Sequence, residues 1–278
     1  MIKVGLTTWT DHPDLSNGKK QATLPDYVAN FPIVEVDSTF YSIPKVEWVE
    51  KWVRETPANF QFVVKANYMM TKTPMPQLGP VTAEARAARF NELRVAVKPL
   101  LTAHKLATIL FQFPPSFRCN PDSLQYLRAV RQHMGKLPLA VEFRNRSWLD
   151  GAELSRDTAA FLQSLQMSEV VVDEPHATAN GIPFQPVVTN PQLAFLRLHG
   201  QNATEWAKGT RERYRYQYSD AELARFAETA MTLADQAQTV VVIFNNNTGH
   251  DAAPNALSLQ RMLHQPGTEL PAQQLDLF

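Results

Sequence analysis

Eight short apolar, β-branched runs recur along the chain, and they limit the possible folds more than any other feature. They are 2-IKVGL-6, 33-IVEVDSTF-40, 60-FQFVVKA-66, 106-LATILFQF-113, 139-LAVEFR-144, 169-EVVVD-173, 193-LAFLRLHG-200 and 239-TVVVIFNN-246. Each has the length of a strand buried on both faces. Helical patterns separate most of them. Trp48 and Trp52 lie one helical step apart, as do Val49 and Val53. Within 82–101, Phe90, Leu93, Val97 and Leu101 fall on one face. Asn120-Pro121 reads as an N-cap with Pro at the first helical position, and Ser219 with Glu222 as a capping box. Strands alternating with helices predict a parallel sheet, and eight such units predict an α/β (β/α)₈ TIM barrel. The competing open sheet lacks its usual sign, because Gly5 stands alone with no G-x-G-x-x-G. The segment 175–192 is rich in Pro and Asn, so a long loop is expected in place of the sixth helix.

With 278 residues, the barrel is expected over 1–264 and a flexible tail over 265–278. Lys+Arg and Asp+Glu both number 27, which excludes a uniformly basic nucleic-acid binder but not a local basic patch. One cysteine, Cys119, cannot form an internal disulfide. No signal-peptide pattern opens the chain and no apolar run reaches membrane-span length, so a cytoplasmic location is expected.

Several strands carry polar residues at alternate positions. Glu35, Asp37 and Thr39 share one face of the second run, Glu142 and Arg144 one face of the fifth, and Arg197 and His199 one face of the seventh. Lys65, Gln112, Asp173, Asn245 and Asn246 sit at or near other strand ends. Outward positions pack under helices and favour apolar side chains, so these residues are expected to point into the barrel near its C-terminal mouth. Acids and bases occur together, so each charge has a partner available. Two readings fit: an ion-pair network that plugs the barrel, or a ligand-binding floor. Placement at strand C-termini favours the second. Glu35, Glu142, His199 and Lys65 are the catalytic candidates, and Asp37, Gln112, Arg144, Arg197 and Asn245 the ligand-binding ones. His12, His176, His199 and His250, with Glu142 and Asp173, offer nitrogen and oxygen ligands for a divalent metal. No compact motif such as H-E-x-x-H accompanies them, so the cofactor stays open.

After the seventh strand, 201–218 interleaves Lys208, Arg211, Arg213 and Arg215 with Trp206, Tyr214, Tyr216 and Tyr218. Cations between flat rings suit phosphates and stacked bases, so nucleic acid and a phosphorylated small molecule are both candidate ligands. Tyr218 joins the ligand-binding set.

The chain ends in 274-QLDLF-278 behind a Pro- and Gly-containing stretch. This resembles the peptide by which many bacterial replication and repair proteins bind the DNA polymerase sliding clamp. The resemblance implies that Leu275, Leu277 and Phe278 fill a hydrophobic cleft and that Gln274 hydrogen-bonds beside it. The alternative is that they fold back onto the barrel.

As a set, 35-EVDSTFY-41, 64-VKA-66, 112-QFPP-115, 141-VEFRNRSW-148, 196-LRLHG-200 and 244-FNNNTGHDAAPNA-256 resemble the YecE-like domain-of-unknown-function family of bacteria and archaea. The match runs from Val4 to about His264; 5-GLTTWTDHPDL-15 departs from the commoner family opening. The resemblance implies a TIM barrel similar in fold to the endonuclease IV and xylose isomerase group, and it supplies no established reaction. Its characteristic residues fall on Glu35, Phe40, Tyr41, Lys65, Gln112, Glu142, Arg144, Trp148, Arg197, His199, Asn245 and Asn255. Tyr41, Trp148 and Asn255 thereby join the ligand-binding candidates. Three functions are carried forward. The first is a clamp-tethered, DNA-associated enzyme acting on a phosphodiester or damaged nucleotide. The second is an isomerase or hydrolase of a small phosphorylated or sugar-like molecule. The third is a non-catalytic adaptor that binds the clamp or nucleic acid.

Overall fold

The computed structural model describes residues 1–16, 18–176 and 181–265. The eight runs form β1 (Ile2–Thr7), β2 (Ile33–Val36), β3 (Gln61–Lys65), β4 (Leu106–Gln112), β5 (Leu139–Glu142), β6 (Met167–Asp173), β7 (Leu193–Leu198) and β8 (Thr239–Phe244). Each pairs in parallel with the next, and β8 returns to β1, which closes a TIM barrel. Around it lie α1 (Leu24–Val28), α2 (Val46–Arg54), α3 (Ala83–Ala96), α4 (Lys98–Thr102), α5 (Pro121–Met134), α6 (Ala152–Ser164), α7 (Ala203–Lys208), α8 (Asp220–Ala234) and α9 (Ala252–Met262). Among the described residues no helix connects β6 to β7, and no helix is long and apolar enough to cross a membrane.

Local chemistry sets the helix ends. Asn120 Oδ1 accepts from the Ser123 amide ahead of α5, and Ser219 and Glu222 form the reciprocal capping box of α8. The single helix expected over 82–101 divides into α3 and α4 at Val97. Pro99 lacks an N–H, and its ring obstructs the preceding turn. Leu101 is consequently 46% exposed and not part of a buried face. The loop expected over 201–218 folds in part, into α7 and a 3-10 turn over Arg211–Tyr214.

Register fixes which side chains fill the barrel. Gly5 pairs with Ile33 and Thr7 with Glu35; Glu35 pairs with Val63, Lys65 with Leu110, Gln112 with Glu142, and Arg197 with Ile243. Paired residues of a parallel ladder point to the same face. Ile33, Val63, Leu110, Ala140, Phe195, Val241 and Ile243 therefore form the apolar lower interior. Glu35, Lys65, Gln112, Glu142 and Arg197 stand above them at the C-terminal end. The strand alternation turns Asp173 outward, which corrects its expected place inside the barrel.

Candidate active site at the barrel mouth

Arg197 is the centre of the polar layer. Its side chain and those of Glu35 and Glu142 are fully buried. Nε donates to Glu35 Oε2 at 2.9 Å and Nη2 to Glu35 Oε1 at 2.7 Å, a fork matched to one carboxylate. Nη1 donates to Glu142 Oε2 at 2.5 Å and to Gln112 Oε1 at 3.2 Å. Arg144 lies two residues beyond β5 and turns back inward. Its Nε donates to Glu142 Oε1 at 2.6 Å and its Nη1 to Glu174 Oε2 at 2.6 Å. A chain Glu35–Arg197–Glu142–Arg144–Glu174 thus crosses the barrel with each charge paired, as buried ions require.

The surroundings set each protonation state. Burial by itself would raise Glu142, but Arg144 and Arg197 outweigh it and hold the carboxyl well below the usual range. Burial pushes Glu35 up against the opposing Arg197 charge. Burial also raises Glu174, to about 7. Burial and the Arg144 charge drive His199 well below its usual value, so the ring is neutral. Arg144 Nη2 lies 2.8 Å from His199 Nε2, and Asn245 Nδ2 lies 2.9 Å from Nδ1. An arginine only donates, so Nε2 is the acceptor and Nδ1 carries the proton. The Asn245 amide must then turn its oxygen to Nδ1.

Asp37 is the first residue of a 3-10 turn over Asp37–Phe40, not a continuation of β2. Asp37, Glu35 and Thr39 are therefore not one strand face, as the alternation implied. The turn brings Asp37 Oδ1 to 2.5 Å from Lys65 Nζ, with side chains 34% and 11% exposed. Lys65 outweighs the burial of Asp37 and lowers its carboxyl below the usual value. The Lys65 ammonium also sits 4.9 Å from the Phe40 ring centre. Tyr41 stands on the rim, 63% exposed.

The segment after β7 folds over this layer. Gly200 has φ +94°, and a Cβ there would come within 2.5 Å of Tyr216 Cβ, so only glycine lets the chain turn back at this point. Trp206 of α7 lies 5.4 Å from the Arg144 guanidinium carbon, and the Tyr214 ring centre lies 6.0 Å from that of His199. A cavity of about 210 Å³ remains, lined by Gln112, Pro115, Arg144, Trp206, Gly209, Arg213 and Tyr214. Arg213 stacks 4.7 Å from the Tyr214 ring centre. Its Nη1 and Nη2 donate to Gly209 O and Tyr214 Oη, and its Nε has no partner. Among the described residues no carboxylate pairs with it.

Trp148, Tyr218 and Asn255 lie away from this cavity. Trp148 is fully buried, donates Nε1–H to Phe117 O and stacks on Phe143. Tyr218 Oη donates to Asp173 Oδ2 at 2.6 Å and accepts from the Gly200 amide at 2.7 Å. Asn255 bonds both backbone groups of Tyr218 and the Asn246 side chain. All three brace loops. Tyr218 was drawn from the composition of 201–218, and Trp148 and Asn255 from the family resemblance, and neither signal reports side-chain direction. Glu174 was missed for the same reason; the paired acids Asp173-Glu174 at a strand end were its only signal. Among the described residues no three His, Cys, Asp or Glu side chains gather in a metal-holding cluster. His12 instead turns Nε2 to Thr7 O at 3.0 Å, and His250 is exposed on the rim. Gln274, Leu275, Leu277 and Phe278 lie outside the described residues.

The family model described as "Protein of unknown function DUF72" matches residues 3–276. The chain belongs to the DUF72 family. This DUF72 protein is 38% identical over 286 residues to the UPF0759 protein YunF of Bacillus subtilis (strain 168), covering 100% of both chains. It is 24% identical over 220 residues to the UPF0759 protein YecE of Escherichia coli O157:H7, covering 70% of this chain and 74% of that one. The crystal structure of a DUF72 family protein from Enterococcus faecalis V583 superposes with a TM-score of 0.89 at 37% identity, covering 99% of this chain and 100% of the other. The YecE-like resemblance and the barrel expectation are thus both borne out.

Proposed function

We propose that the mouth cavity is the active site of an enzyme acting on a phosphate-bearing ligand, anchored by Arg213. The observation that carries this reading is an arginine held on aromatic faces, lining a cavity, with no carboxylate to neutralise it. Each Nη atom of Arg213 keeps one N–H beyond those given to Gly209 and Tyr214, and these can donate to phosphate oxygens. Arg197, by contrast, is committed to Glu35 and Glu142, and both acids are fully buried. They are better suited to a rigid support than to proton transfer. Lys65 and Asp37 lie outside the cavity lining but form a partly exposed ionisable pair at the same end of the barrel, and for a ligand that extends beyond the cavity they take over the general acid–base role assigned to Glu35 and Glu142 from sequence. Glu142 and His199 act by fixing Arg144. The cavity is small by the standard of drug-sized sites, which suits a phosphate with one attached ring.

Titration calorimetry with inorganic phosphate, ribose 5-phosphate and a nucleoside monophosphate tests this. Arg213→Ala is expected to weaken the best ligand by at least about tenfold, the loss of one charge-assisted contact. The thermal midpoint is expected to stay put, because the side chain is partly exposed. Equal binding by both proteins, or none by either, would remove the phosphate reading.

A second reading concerns location. The terminal 274-QLDLF-278 supports tethering to the sliding clamp, which would place the barrel at replication or repair sites. A few apolar anchors carry such peptide contacts, and a tether raises the local concentration of the barrel on DNA. Biosensor binding to a bacterial clamp is expected for the full chain and to vanish on deletion of 274–278. Undiminished binding after deletion, or none before it, rejects the tether and returns the tail to a packing role.

A further inference from the structure

Beside the mouth lies a second recess, of about 480 Å³, between the loops that leave β1, β7 and β8. Its cations are Lys20, Arg211, Arg215 and, when protonated, His250; its acids are Asp11 and Glu212. Arg215 Nε donates to Glu212 Oε2 at 2.7 Å, so that pair cancels; Asp11 offsets one of the two remaining cations, and the recess keeps a net positive charge. Lys20 and Arg211 have no carboxylate partner among the described residues, and both are exposed. The walls are tied to one another. Thr248 Oγ1 donates to Arg211 O at 3.0 Å, joining the loops after β7 and β8. His250 Nδ1 lies 3.3 Å from Asp11 O, joining the loops after β8 and β1. His250 and Thr8 have φ of +65° and +56°, in the left-handed region that residues with a Cβ seldom adopt. Loops after the seventh and eighth strands are a frequent phosphate site in this fold.

The 3-10 turn Arg211–Tyr214 divides this recess from the mouth cavity. Arg213 and Tyr214 line the mouth, whereas Arg211 and Glu212 line the recess. We infer that the recess is a second anion subsite, and that the natural ligand is a single nucleic-acid strand. Its successive phosphates occupy the two pockets on either side of the turn. This deepens the phosphate reading of the mouth and rests on it. A monophosphate fills one pocket only, and a rigid small molecule cannot cross the intervening backbone. A strand is flexible, carries a charge at each step, and offers bases that stack on a ring such as Tyr214. With zero net charge, attraction to a strand must come from local cations such as these.

The test is fluorescence anisotropy with labelled single-stranded DNA and RNA 12-mers, alongside calorimetry with a nucleoside monophosphate, on the full chain. The 12-mers are expected to bind at least about tenfold more tightly than the monophosphate, as multiple phosphate contacts require. The double variant Lys20→Ala/Arg211→Ala is expected to lose that advantage while binding the monophosphate unchanged. It should also flatten the dependence of log K on log salt by about 1.4, at about 0.7 per phosphate contact on a single strand. Arg213→Ala weakens both ligands. Monophosphate binding with no gain for the 12-mers, or a double variant with unchanged 12-mer affinity and salt slope, overturns the second subsite and leaves the mouth reading standing. Absence of binding by any of these ligands overturns both.

Discussion

Arg197→Ala is expected to destabilise the protein by about 3–5 kcal/mol, the cost of leaving buried charges without their partner. Glu35 loses both of its Arg197 bonds, and Glu142 is left with Arg144 and the His199 ring 3.4 Å away. For a chain of this size that is a fall in Tm on the order of 10 °C. Arg197→Lys retains the charge but cannot donate to Glu35 and Glu142 from a rigid fork, and it should fall between the two. The same layer gives a pH signature. Glu142 is held well below its usual value, so its contribution is present above the unfolded carboxylate range and is lost as pH falls through the folded value. The gap between wild type and Arg197→Ala should therefore narrow in acid. Calorimetric melts of the three proteins check this. A loss under 1 kcal/mol for Arg197→Ala would mean that the layer is hydrated and loosely held, contrary to the description above.

Glu169→Gln is expected to do the reverse and stabilise the protein at high pH. Glu169 is 3% exposed on an outward position of β6, and its Oε2 has no partner. Burial raises its carboxyl to about 8, from an ordinary value near 4.5. Between the two values the folded state holds a proton that the unfolded state has released, so stability falls as pH rises from the unfolded value to the folded one and levels off above it. At 1.36 kcal/mol per tenfold, the full penalty is on the order of 5 kcal/mol well above pH 8. A glutamine keeps the shape and carries no charge, so the variant should melt on the order of 10 °C higher than wild type at pH 9, with the gap shrinking steadily toward pH 5. Glu174, raised to about 7, adds to the same alkaline decline. Its substitution should nonetheless destabilise, because it leaves Arg144 without one of its two acids. Melts across pH 5–9 distinguish the cases. No alkaline advantage for Glu169→Gln would mean that water or a cation reaches the carboxylate.

The barrel was legible because buried parallel strands need continuous β-branched runs, and each of the eight runs became a strand in chain order. The polar layer was legible because a charge flanked by apolar residues in such a run has few places to go. What spacing alone misplaced lies at strand ends, where alternation stops. Asp37 left β2 for a 3-10 turn, yet still reached Lys65. Asp173 faced outward to Tyr218. Glu169 passed as an ordinary strand residue, since nothing local marks an acid that a distant segment will bury. The cover over the mouth was unreadable for a related reason. That Trp206 and Tyr214 would close on Arg144 and His199 depends on how the segment after β7 turns at Gly200, which is tertiary information. The cations of that segment were visible, but not which of them would lack an acid.

The most direct test of the mouth as a phosphate site is a crystal soaked in tungstate, an electron-rich phosphate mimic, with anomalous scattering recorded at the tungsten edge. A peak within hydrogen-bonding distance of Arg213 in the cavity beside Gln112 and Arg144 is the expected result. A fully occupied peak elsewhere, with the Arg213 cavity empty, would contradict it.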